Sequence, residues 1–328
     1  MRKLYVHLGN HRTGTTSIQE FMFANRGKLA AQGILFPNNT RRHLALMDGL
    51  FEKGTGARIA EDLEAKAEAR GVHTVVLSEE DVCKRTDLSP LAALAERFDV
   101  RLVFVMRRQD LWLESWFSQN VKWQWDEELR HMDWDAFLAG RARFHWIDYD
   151  ATVARLEALF GPEAVELAVF DRELMPEGPV AAFARIVGVR DLSVLGKMPT
   201  LNYGFSPMMS EVMRRLPLHE AEGPLRAKIN RACEVADRAW QERHGKVAKR
   251  IMDPETRRAV MGEYEAGNAR LARRRFGRDA LFAEPLPGAD APYGAPALPA
   301  DPERLVDDLV APMISDLIRR LAPKTEAP

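Results

Sequence analysis

Apolar strands alternating with amphipathic helices predict an α/β fold: a P-loop-like central parallel sheet flanked by helices on both faces, with a helical C-terminal part. Three observations carry this expectation. Leu4, Val6 and Leu8 form a short apolar run that breaks at Gly9 and passes through GNHRTGTT into a helical pattern. His73 to Leu77 and Val165 to Phe170 are compact strand signals, and Val100 to Met106 (VRLVFVM) is the clearest buried strand in the chain. Between them lie segments with helical spacing and glycine stops.

In order, Ser17 to Gln32 reads as the first helix, ended by Gly33. Arg41 to Lys53 is a weaker helical stretch, and Ile59 to Arg70 an amphipathic helix ending at Gly71. The strand at 73–77 stops abruptly in Ser78-Glu79-Glu80-Asp81. Pro90 to Phe98 reads as a helix before the strand 100–106, which ends in Arg107-Arg108. A long helix follows from Asp110 to Trp123. Ala151 to Phe160 and Pro179 to Val187 are helices closed by Gly161 and Gly188. In Asn202-Tyr-Gly-Phe-Ser206-Pro207, Ser206 has the chemistry of an N-cap and Pro207 that of a first-turn proline, opening a helix to Leu216. Glu220 to Gly245 and Pro254 to Phe276 are long, charged and helical. Residues 283–302 are dense in Pro, Gly and Ala, a surface loop, and Glu303 to Leu321 is a last amphipathic helix. No repeat or clean boundary is visible. The expectation is one domain over 1–328, with its core at 3–195, a helical acceptor-side region at 196–282, the loop at 283–302 and a terminal helix at 303–321.

Composition narrows the function classes. The chain has 328 residues, 46% hydrophobic and 29% charged, ordinary values for a globular protein. A formal net charge of -1 gives no global attraction to nucleic acid or an anionic membrane, so any anion site must be local. Two cysteines, Cys83 and Cys233, make neither a zinc set nor a disulfide framework and fit a reducing compartment. The first strand starts at residue 3, which leaves no room for a signal peptide, and no apolar run reaches the length of a membrane span. A cytoplasmic setting is expected.

The glycine-bracketed loop is where the chemistry concentrates. Strand, loop and helix start in that order make a cradle in which backbone N–H groups and the positive end of a helix dipole face one anion. Gly9-x4-Gly14 followed by Thr15-Thr16 fits the template G-x-x-x-x-G-K-[ST] except that Thr15 replaces lysine. A nucleoside triphosphate would thereby lose its usual cation. The cation stands instead at Arg12, whose planar fork suits a terminal anionic group. A tight turn with an exposed arginine is the bland alternative; the hydroxyls of Thr13, Thr15, Thr16 and Ser17 favour anion binding. Ligands of parallel sheets sit outside the strand carboxyl ends, so this loop, the Ser78–Glu80 turn and Arg107 should face one crevice.

The string HLGNHRTGTTSIQ (residues 7–19) resembles the 5′-phosphosulfate loop of sulfotransferases that use 3′-phosphoadenosine 5′-phosphosulfate (PAPS). It is most similar to the bacterial branch, in which a His-x-Gly strand end precedes Lys-Thr-Gly-Thr-Thr-Ser-x-Gln. Arg12 stands where that family usually has lysine. VFVMRRQDLWLESW (103–116) resembles the family's 3′-phosphate segment, an arginine at a strand end and a serine eight residues later, here Arg107 and Ser115. The likeness covers roughly residues 3–195 and continues thinly in YEAGNARLARRRFGRDALF (264–282). It implies PAPS as donor, PAP as product and no metal. His11, Arg12, Thr13, Gly14, Thr15, Thr16, Ser17, Arg107 and Ser115 would bind the cofactor. A Ser-x-Glu at the strand end singles out Glu80 as the base, with Arg12 steadying the leaving phosphate and His43 as the alternative base. Ser78 before Glu79, Glu80 and Asp81 is also ordinary helix-capping chemistry.

Further features have plainer explanations. His7 reads as a packed strand residue. Trp112, Trp116 and Trp123 share a helical face, a pattern more typical of core than of a ligand platform. Arg270, Arg273, Arg274, Arg275 and Arg278 read as the solvated face of a charged helix. The acceptor, whether carbohydrate, lipid or small phenol, leaves no short signature; residues 38–58, 123–150 and those beyond 200 are expected to shape its pocket. A P-loop kinase or nucleotide hydrolase, and a fold member that binds PAP without turnover, are the alternatives.

Overall fold

The computed structural model describes residues 1–193, 196 and 204–322. The chain opens with β1 (Arg2–Gly9), α1 (Thr15–Ala24), α2 (Arg26–Ala31) and the two-residue strand β2 (Ile34–Leu35). Then come α3 (Leu44–Phe51), α4 (Gly56–Ala69), β3 (Thr74–Ser78), β4 (Phe98–Met106) and α5 (Gln109–Trp123). The middle of the chain holds α6 (Trp134–Ala139), α7 (Tyr149–Phe160), β5 (Val165–Val169) and α8 (Gly178–Ile186). The remainder is helical: α9 (Pro207–Arg215), α10 (Gly223–His244), α11 (Pro254–Phe276), α12 (Pro302–Leu305) and α13 (Ala311–Leu321). Asn202 and Tyr203, in the segment expected to lead into α9, lie outside the described residues.

Two compact units result. The first comprises Met1–Gln109, Phe144–Leu201 and Gly262–Pro285, and the second Asp110–Arg143, Asn202–Met261 and Leu286–Pro328. The first unit contains a five-stranded sheet in the order β2-β3-β1-β4-β5, parallel throughout. Alternate side chains of each strand enter opposite layers. Tyr5, Val76 and Val103 pack with Ile18, Phe21, Met22, Leu29 and Phe183 from α1, α2 and α8. On the other face Phe104 meets Tyr149 of α7 edge to face at 6.1 Å, and α4 lies against β3. Leu4, Val6, Val75 and Leu77 are buried completely, each contributing about 1.5–3 kcal/mol of transfer free energy. This is the α/β architecture the strand and helix alternation predicts.

The departures from the sequence reading have local causes. The expected helix 17–32 is two, which meet at Asn25 (φ -105, ψ 10); its N–H and its side-chain amide both donate to the Phe21 carbonyl, at 3.1 and 2.9 Å. Residues 89–96 form 3₁₀ turns instead of an α-helix. Leu91 and Leu94, both fully buried, are three apart, the spacing that a 3₁₀ turn places on one face. The edge strand Ile34–Leu35 and helix Trp134–Ala139 are too short for periodicity to reveal.

In the second unit, Ser206 caps α9 by accepting from the Met209 N–H at 3.1 Å, while Asp237 accepts the Ser206 N–H at 2.9 Å. Met209, Met213, Cys233, Ala236, Leu309 and Met313 form this unit's core. Trp112 and Trp116 are buried and stacked at 5.5 Å. Both cysteines are buried free thiols. Among the described residues no helix is long and apolar enough to cross a membrane.

Candidate functional site

Because β1 lies between β3 and β4, the segments leaving these three strands emerge side by side. His7 pairs in register with Ser78, and Gly9 with Phe104. The chain leaves β1 through Gly9, at φ 95, where an added Cβ would come 3.1 Å from the Glu80 Cβ. Glycine is what allows the Glu80 backbone this close. Thr13 Oγ1 donates to the Asn10 carbonyl at 2.6 Å and ties the loop to itself. Arg12 has φ 65 and Gly14 φ 87, both left-handed. The first intrahelical bond of α1 runs from the Ile18 N–H to the Gly14 carbonyl at 3.0 Å. Upstream of it, the N–H groups of Thr15, Thr16 and Ser17 stand at the positive end of a ten-residue helix with no acidic side chain in its first turn.

Two guanidinium groups converge on this loop. Arg107, just after β4, donates from Nη1 to the carbonyl of Arg12 at 2.8 Å, and its guanidinium lies 5.5 Å from the Phe170 ring centre. Tyr149 secures the Arg107 backbone, accepting its N–H at 3.1 Å and donating to its carbonyl. Burial pushes the Arg12 guanidinium down to about 10, and the like charge of Arg107 pushes the same way. Both remain protonated at neutral pH. Two cations held together in a partly desolvated loop present a site whose electrostatics favour an anion.

The carboxylates after β3 are organised differently. Glu79 is buried completely and is held by Arg42, whose Nε donates to it at 3.1 Å and whose Nη2 bonds it as well. Arg42 Nη2 also donates to Asp81 at 2.7 Å. Burial raises Glu79 above the usual carboxylate range despite Arg42. Burial would also raise Asp81, but His11 at 3.2 Å and Lys84 at 2.6 Å outweigh it and hold that carboxyl well below the usual range. Glu80 is 8% exposed; its Oε2 accepts a hydrogen bond from Gln19 of α1 and lies 3.9 Å from Arg42 Nε.

The structure thus brings Arg12, Thr13, Gly14, Thr15, Thr16, Ser17, Arg107 and Glu80 to one edge of the first unit. The His11 ring is engaged with Asp81, and burial lowers its basicity. His43 requires a correction as the alternative base. It is 1% exposed, its Nδ1 accepts the Ser78 N–H at 3.0 Å, and its Nε2 donates to the Pro37 carbonyl at 3.0 Å. With its lone pair taken by the main chain, His43 is a structural link between the 37–43 segment and the end of β3. Ser115 belongs to α5 within the second unit.

Four residues the sequence reading did not assign belong to the site. Gln19 and Arg42 hold the carboxylates, and Phe170 and Pro179 line the loop, Pro179 Cγ standing 2.5 Å from where a Gly14 Cβ would be. Gln19 stood in the quoted loop string; the others have no local signal. Of the arginines on α11, Arg270 and Arg273 are exposed and pair with Asp150 at 2.9 Å and Asp279 at 3.0 Å, whereas Arg275 is half-buried and pairs with Glu157 at 2.6 Å.

No family model matches the chain. An uncharacterized protein of Archaeoglobus fulgidus is 26% identical over 184 residues, 56% of this chain and 47% of that protein, so the chain spans about half the length of the curated relative it matches. Among solved structures, the sulfotransferase domain of the Synechococcus PCC 7002 olefin synthase aligns with 57% of this chain and 73% of that domain. The identity there is 12% and the TM-score 0.33.

Proposed function

We propose that this chain is, as one functional domain, a cytoplasmic sulfotransferase that moves a sulfuryl group from PAPS to a hydroxyl or amine of a small-molecule or carbohydrate acceptor. The observation that carries the reading is the convergence of the Arg12 and Arg107 guanidiniums on the Gly9–Gly14 loop, with Glu80 on the adjoining strand end. A phosphosulfate is an anion of the size that such a loop and helix N-terminus grip. Transfer is in line. The acceptor oxygen forms a bond to sulfur as the bond from sulfur to the bridging phosphate oxygen breaks, and that electron pair leaves on the phosphate of PAP. Glu80 takes the acceptor proton as attack proceeds. Arg12, with the N–H groups opening α1, meets the charge that builds on the leaving phosphate. Arg107 serves the donor's anionic groups.

The test uses radiolabelled PAPS with a panel of carbohydrate, lipid and phenolic acceptors, alongside titrations with PAP and with ATP–Mg. Expected outcomes are transfer to at least one acceptor, PAP binding that ATP–Mg does not displace, and a loss in kcat of roughly 10²–10⁴-fold in Glu80→Gln with PAP affinity kept. Preferential ATP–Mg binding with hydrolysis would make the chain a nucleotide hydrolase or kinase. PAP binding without transfer to any acceptor would make it a binding protein.

A further inference from the structure

We propose that Gln19 is a positioning residue that holds one oxygen of Glu80 and so presents the other to the acceptor; this rests on the sulfuryl-transfer reading. A glutamine that is 1% exposed within the sheet-facing side of a helix is unusual and has to be satisfied. Its amide nitrogen reaches two partners, Ser78 Oγ at 3.3 Å and Glu80 Oε2. A carboxylate only accepts, so the NH₂ end of Gln19 must face Glu80. Ser78 Oγ in turn lies 2.8 Å from His7 Nδ1. The ring of His7 is buried, and burial pushes its basicity down to about 4, so a neutral imidazole stands beside Ser78. The Glu80 carboxylate and the Ser78 hydroxyl together keep the Gln19 amide nitrogen turned towards them.

Arg42 Nε, at 3.9 Å, approaches the same Oε2. The Gln19 hydrogen bond and the Arg42 charge therefore bear on one oxygen, and Oε1 is the atom left for a substrate proton. Gln19 sits five residues beyond Gly14 on α1, the helix whose first turn opens the anion loop. One rigid element thus fixes both the donor cradle and the orientation of the base, and registration of this kind is worth orders of magnitude in rate. The charged and titratable groups bearing on Glu80 are Arg42, Glu79, His7, His11 and Cys83.

The experiment compares the full-length protein with Gln19→Met, similar in length but without a donor, and with Gln19→Asn, which keeps the amide but falls short. The Glu80 carboxyl resonance is followed by carbon-13 NMR at one fixed pH, assigned by its disappearance in Glu80→Gln. Losing the donor is expected to displace that resonance. The kcat is expected to fall about ten- to a hundredfold with the KM for PAPS unchanged, and Gln19→Met should add nothing in the Glu80→Gln background. Gln19→Asn supplies the same two readings if Gln19→Met does not fold. An undisplaced resonance together with an unchanged kcat overturns the proposal. The resonance reports on Gln19 even if no acceptor is ever sulfated, so failure of the positioning role and failure of the sulfotransferase reading are told apart.

Discussion

Two arginines, one in each unit, lose water on folding and end in opposite electrostatic states. Arg257 in the second unit is 1% exposed. It bonds the Asp110 carboxylate and Glu114 Oε1, the latter at 2.6 Å, and donates to the Met252 carbonyl at 3.2 Å. Glu114 Oε1 also accepts the N–H groups of Ile251 and Met252 at 2.9 and 2.8 Å. Burial lowers the Arg257 guanidinium, but the two carboxylates outweigh it and its net shift is upward. Arg12 is pushed down by the same kind of desolvation, and there the neighbouring charge that acts on it is a second guanidinium, Arg107. The first arginine completes a buried scaffold of opposite charge; the second is desolvated beside a like charge. Desolvation is common to both, and the sign of the neighbouring charge is what separates them.

The comparison breaks most visibly if Arg257 can be removed cheaply. Arg257→Met strands two carboxylates in a buried setting and is expected to lower unfolding stability by about 3–5 kcal/mol in urea denaturation. A loss within experimental error would mean the triad is not structural. Arg12→Ala should have the reverse profile. Sulfuryl transfer, followed with labelled PAPS, is expected to drop by on the order of 10²–10³-fold, while the repulsion with Arg107 is relieved and stability falls less than in Arg257→Met. Full activity in that variant would remove Arg12 from the mechanism. The smallest effect concerns the buried base beneath the loop. His7 has a folded-state pKa of about 4 against an unfolded value of 6.5, so the unfolded chain binds the extra proton first. Stability should be intact above pH 6.5 and fall by up to about 3 kcal/mol as the pH drops from 6.5 to 4. Urea midpoints across that range should flatten in His7→Gln; an unaltered slope would place the titration elsewhere.

Much of the architecture was legible in the sequence because parallel strands buried on both faces are apolar throughout, as VRLVFVM is, and helix stops such as Gly33 and Gly71 are local chemistry. What escaped was set by partners far along the chain or by elements too short to carry a period. Ile34–Leu35 is a strand only because β3 pairs with it, and residues 89–96 tighten because two leucines share one buried face. The loop was readable as a glycine-bracketed turn with an arginine in it. The clamp on the carboxylates was not: Arg42 meets Glu79 across 37 positions and Gln19 meets Glu80 across 61. His43 shows the converse: expected as the alternative base, it has both its nitrogens serving the main chain.

Gly14 carries a consequence beyond its own turn. A methyl group there would stand 2.5 and 2.8 Å from ring carbons of Pro179, in the first turn of α8, at a φ of 87 that already disfavours any side chain. The Gly9–Gly14 loop is therefore moulded against a helix that enters the sequence some 165 positions later, by roughly the count between Gly14 and Pro179. Enlarging the loop would mean recasting both segments together, since neither can give way while the other keeps its shape.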